Sequence, residues 1–63
     1  MMITIPYNKL SVVHHYLNKN VSVRQYYFHN EFGSDDWSIK RTGTEWVLDA
    51  HPKIETYIAL RFL

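Results

Sequence analysis

No cysteine occurs among the 63 residues, so this chain must fold without disulfides and without cysteine-ligated metal. A chain this short buries only about 60% of the surface it exposes when unfolded, which leaves a thin core. Aromatic rings offer the missing area. Two Trp, five Tyr and three Phe are present, and each ring can bury roughly 150–250 Å². Self-association is a second way to hide apolar surface, so a homodimer is one expected option.

Where the rings and β-branched residues fall predicts an α+β domain spanning 1–63. The expected architecture is an antiparallel three- to four-stranded β-meander with one N-terminal helix packed on one face. Ile3 and Ile5 alternate with Met2 and Thr4 in a short strand over about 2–6, which Pro6 ends. A helix over about 8–18 follows, with Asn8 as N-cap and Tyr7 and Val12 as a hydrophobic staple. Its apolar stripe is Leu10, Val13, Tyr16 and Leu17. Asn18-Lys19-Asn20 closes it, Lys19 favouring the negative end of the helix and Asn20 suiting a left-handed cap.

The remainder reads as strands over about 21–32, 37–41, 44–49 and 54–62, cut by turns at Gly33–Asp36, Thr42-Gly43 and Ala50-His51-Pro52. A two-residue loop at Thr42-Gly43 sets Lys40 against Glu45, Ile39 against Trp46 and Trp37 against Leu48. A four-residue loop from Gly33 to Asp36 sets Phe32 against Trp37 and carries Tyr26 and Phe28 onto the same inward face. Tyr27, His29 and Glu31 then point outward. In the last segment Ile54, Ile58, Leu60 and Phe62 continue the core, with Glu55, Tyr57 and Arg61 behind them. A helix with Pro52 in its first turn also fits this segment, but its β-formers favour a strand.

Chemistry-bearing clusters are sparse. His14 and His15 are adjacent on a helix and point about 100° apart, so they cannot share a metal. His29 and Glu31 would offer two ligands without an evident third. Asp35-Asp36 lacks the twelve-residue spacing of a calcium loop and is explained as turn chemistry. No Gly-rich phosphate loop, nucleophile elbow or cysteine nucleophile is present, and a wet sheet surface gives His29 and Glu31 little means of acid–base catalysis. The expectation is a non-enzymatic protein with no cofactor and no metal.

What is left is the outward sheet face, on which Tyr27, His29, Lys40, Tyr57 and Arg61 are expected to form a partner-binding patch. Tyr and Arg are the residue types that most often anchor protein interfaces. The alternative is single-stranded nucleic acid, with the rings stacking on bases and Lys40 and Arg61 meeting phosphates. A net charge of +1, and Glu31, Glu45 and Glu55 on the same expected face, weigh against it. No stretch approaches the roughly 20 apolar residues of a membrane span, and the N-terminus has no basic region leading into an apolar run. A soluble cytoplasmic protein is expected.

Compact, cysteine-free, rich in Tyr and Asn, and running out on Ile58-Ala59-Leu60-Arg61-Phe62-Leu63, the chain resembles the short accessory proteins of tailed bacteriophages. The likeness is one of style and has no defining motif. It implies a host-takeover or anti-defence role, with a host protein as partner in the host cytoplasm, and it assigns no site residue.

Overall fold

The computed structural model describes residues 2–63. Seven elements follow one another: β1 (Met2–Ile5), α1 (Tyr7–Asn20), β2 (Tyr26–Phe28), β3 (Glu31–Gly33), β4 (Trp37–Thr42), β5 (Glu45–Ala50) and α2 (Pro52–Phe62). The strands form one antiparallel sheet in the order β1-β5-β4-β3-β2. Ile5, Phe32, Trp37, Ile39 and Leu48 from one face of this sheet meet Val13 and Leu17 of α1 and Ile58 of α2 in a single core. Both helices therefore cover the same face and touch each other, with Tyr16 stacked on Tyr57 at 5.0 Å. The domain is α+β as the patterning predicts, but the sheet has five strands and there are two helices.

The expected helical stripe holds, since Val13 and Leu17 are fully buried and Leu10 and Tyr16 pack against them. Its ends differ. The helix begins at Tyr7 with Pro6 as N-cap, no side chain caps it, and Tyr7 and Val12 are both exposed. Proline suits this place because the first helical N–H groups have no partner within the helix. At the other end Asn20 keeps a negative φ and its side-chain amide donates to the Tyr16 carbonyl at 3.1 Å.

The loop between β4 and β5 is Gly43-Thr44, shifting the register by two residues from the expected one. Ile39 faces Leu48, Lys40 faces Val47 and Trp37 faces Ala50. Gly43 has φ +65 and Thr44 a negative φ, the pattern of a type II′ turn with glycine at its first position. A Thr42-Gly43 loop would instead force β-branched Thr42 into the left-handed region. A slip of two leaves every side chain on its expected face. The β3–β4 register shifts by the same amount, placing Phe32 opposite Ile39.

Residues 21–32 are not one strand. Val21–Gln25 is irregular, and β2 and β3 form a hairpin turning at His29-Asn30, with Phe28 opposite Glu31 and Tyr27 opposite Phe32. Cross-strand partners share a face, so the hairpin puts Tyr27 on the helix-covered side with Phe32. Tyr26 and Phe28 move to the opposite side, against expectation.

The last segment is a helix. His51 is the N-cap, its Nδ1 accepting from the Lys53 N–H at 3.2 Å, and Pro52 occupies the first turn. Ile54, Ile58 and Phe62 lie on the core side, whereas Leu60, expected inside, is 85% exposed. Glu55, expected on the outer sheet face, is fully buried and its Oε2 accepts from the Ala50 N–H at 3.1 Å. That contact holds the start of α2 against the end of β5.

His14 packs against the rings of Phe32 and Trp37, at 4.6 and 5.6 Å between centroids. Asn18 fixes its protonation: the Asn18 Oδ1 accepts from the Arg24 N–H at 2.6 Å, so its Nδ2 is left to donate to His14 Nε2 at 3.2 Å. Burial, then the charges of Arg24 and His15, push the His14 pKa below its ordinary 6.5. The unfolded chain therefore takes up this proton first on acidification. Stability from neutral His14 is present above about pH 6.5 and is lost as pH falls through the lower folded pKa. Thermal midpoints recorded from pH 8 to pH 5 should fall less steeply in His14→Gln than in the parent. Equal slopes would contradict this account.

Candidate functional site

With both helices on one side, the other side of the sheet is open. The pleat and the registers place Met2 and Thr4 of β1, Glu45, Val47 and Asp49 of β5, and Ser38, Lys40 and Thr42 of β4 on that open face. Glu31 of β3 and Tyr26 and Phe28 of β2 continue it to the sheet edge. None of these side chains is fully buried.

Two features shape the surface. Met2, Ser38, Lys40, Thr42, Val47 and Asp49 line a shallow depression of about 260 Å³ across β1, β5 and β4. Nearer the edge, the Tyr26 and Phe28 rings lie 5.4 Å apart, and Phe28 is 65% exposed. Glu31 ties the two together: its Oε2 accepts from the Tyr26 hydroxyl at 2.8 Å and its Oε1 lies 3.7 Å from Lys40 Nζ. The hydrogen bond to Glu31 is the main cause of a Tyr26 pKa raised above 10, so the phenol remains a neutral donor.

Charge is segregated across the molecule in a way that the net value of +1 conceals. Glu31, Glu45 and Asp49 stand on the open face, and Asp35 and Asp36 lie beside Asp49 around a polar depression at its rim. Lys40 is the one cation on this face among the described residues. Lys9, Lys19, Arg24, Arg41, Lys53 and Arg61 are exposed elsewhere, four of them on the two helices. The open face is thus acidic and the helical side basic.

The five residues expected to form one patch are dispersed. Only Lys40 belongs to the open face. Tyr27 lies on the helix-covered side at the sheet edge, 65% exposed, with its ring 6.2 Å from Phe32 and the Arg24 guanidinium 5.7 Å from its centroid. His29 sits at the tip of the β2–β3 hairpin, and Tyr57 and Arg61 are carried by α2. Two corrections account for this: the hairpin at His29-Asn30 exchanges Tyr27 for Tyr26 and Phe28, and the helix removes Tyr57 and Arg61 from the sheet. The polar His29-Asn30 pair between the Tyr26-Tyr27-Phe28 run and Phe32 is the one sequence signal for the first.

Among the described residues no three His, Cys, Asp or Glu side chains are grouped to hold a metal ion, and no helix is long and apolar enough to cross a membrane. Searches against protein-family models, curated proteins and solved structures find no match to this chain.

Proposed function

We propose that this chain is a small non-enzymatic protein-binding module whose open sheet face docks a partner protein presenting a cationic surface. The observation that carries the reading is a five-stranded sheet covered on one side only, whose free side combines exposed aromatic and apolar residues with a carboxylate excess. Phe28 and the Met2–Val47 depression supply apolar contact, and Tyr26 adds the aromatic body with a polar tip that interfaces favour. Glu45 and Asp49 would meet the partner's cations and speed its encounter. The same charges weigh against nucleic acid on this face, since its lone lysine is already beside Glu31. The likeness to phage accessory proteins supports the finer reading of a phage-encoded inhibitor or modulator of a host protein or defence system.

The test is affinity capture from bacterial lysate with three baits of confirmed fold. Phe28→Ala combined with Asp49→Lys should lose the partner that the parent chain recovers, and Tyr57→Ala combined with Arg61→Ala should retain it. Binding should also weaken as salt is raised. The reverse pattern, with the open-face bait retaining the partner and the helix-side bait losing it, would move the interface to α2.

A further inference from the structure

The sheet ends at β2, whose outer edge has no neighbour among the described residues. Natural edge strands are commonly guarded by charge, proline or a covering segment. β2 reads Tyr26-Tyr27-Phe28 and carries neither charge nor proline. Hydrogen bonding along β3 shows which of its backbone groups are free. The Arg41 N–H donates to the Asn30 carbonyl and the Ser34 N–H donates to the Trp37 carbonyl, both at 2.8 Å, so residues 30, 32 and 34 direct their backbone groups toward β4. Glu31 and Gly33 then direct theirs toward Phe28 and Tyr26, their partners in β2. By the same alternation, the N–H and carbonyl of Tyr27 point away from the sheet.

We infer that β2 pairs with β2 of a second copy, antiparallel about a two-fold axis at Tyr27, joining two five-stranded sheets into one. This register is self-complementary. Tyr27 exchanges both backbone hydrogen bonds with Tyr27 of the second copy, and Tyr26 faces Phe28 on the open side, so the ring pair now 5.4 Å apart becomes a four-ring cluster. Gln25 does not extend this ladder, because its N–H already donates to the Gly33 carbonyl at 2.8 Å, so the pairing is confined to Tyr26–Phe28, which carries no charge to oppose its copy. The other edge is a poorer candidate, because Ile3 and Ile5 of β1 are already covered within the core, while Tyr27 and Phe28 are each 65% exposed. A covered edge also relieves the small-core problem of a 63-residue chain. Two acidic faces would then lie side by side on one continuous sheet, a bivalent surface. This pairing does not depend on which partner, if any, the open face takes.

A three-residue edge is short beside the roughly 1,200–2,000 Å² of a standard interface, so the dimer is reversible. Sedimentation equilibrium of the full chain should show the mean mass rising from monomer near about 10 µM toward dimer near about 1 mM, the range of a weak complex. Tyr27→Pro should stay monomeric throughout, because it deletes an N–H used only between copies and none within the sheet. A monomer at about 1 mM, or a dimer that persists in Tyr27→Pro, overturns the inference. Should that variant unfold, amide exchange decides with the parent chain alone. Tyr27 N–H protection that rises with protein concentration supports the pairing, and protection independent of concentration overturns it.

Discussion

Replacing Trp37 with alanine should cost about 3–5 kcal/mol, the usual penalty for emptying a buried aromatic site, and should leave most of the chain unfolded at room temperature. Trp37 is 2% exposed and is the largest fully buried side chain. Its ring stands edge-on to Phe32 at 6.2 Å and tilts against His14 at 5.6 Å, so it joins β4 to β3 and to α1. Its Nε1–H donates to the Ser22 carbonyl at 2.9 Å and holds the irregular connection that leads from α1 into β2. A domain of this size has only a few kcal/mol of net stability, so one such loss is comparable to the whole. Urea unfolding followed by far-UV circular dichroism measures it. Trp37→Phe should lose less, since it keeps an aromatic body and gives up the hydrogen bond. A Trp37→Ala chain with the parent's midpoint would contradict the packing described.

Gly33→Ala should destabilise by about 3 kcal/mol, at the upper end of overpacking costs. Conformational freedom is not the reason, because Gly33 does not have a positive φ. An added Cβ would collide with the Trp37 carbonyl oxygen and lie 2.7 Å from the Ser38 Cα. Both are backbone atoms of the neighbouring strand, so neither can swing aside. Gly43 presents the opposite case: open space surrounds it, but its φ of +65 disfavours any side chain by about 1–2 kcal/mol. Urea midpoints of the two alanine variants should therefore rank Gly33→Ala as the more damaging. The reverse order would mean that β3 and β4 approach less closely than described.

The acidic open face and the basic helical side bear on both interactions proposed above. A partner with a cationic surface would be steered to the sheet and away from the helices. Dimerisation at the β2 edge would leave that steering intact, because Glu45 and Asp49 stand on β5, away from the paired strand.

The alternation of large apolar and polar residues through Trp37–Leu48 was enough to sort these strands into an inner and an outer face. A register error of two residues did not disturb that sorting, since strand side chains repeat with period two. The α1 stripe was equally legible, because Leu10, Val13 and Leu17 fit only the helical period. Ile54, Ile58 and Phe62 were ambiguous for a definite reason. A spacing of four satisfies both a strand and a helix, and the choice rests on the His51 cap, Pro52 and the burial of Glu55 against Ala50.

An α+β domain without cysteine, with its first helix and its central hairpin facing a common core, was thus legible from residue pattern. Tertiary structure alone decided which aromatic residues are free for interaction. A two-residue turn at His29-Asn30 reverses which side of the sheet Tyr26, Tyr27 and Phe28 occupy, and the polar His29-Asn30 pair signals a turn there without fixing the register that assigns the faces. It also decided that the open face is acidic, because α2 carries Lys53 and Arg61 to the far side, which outweighs the loss of Glu55 to the core.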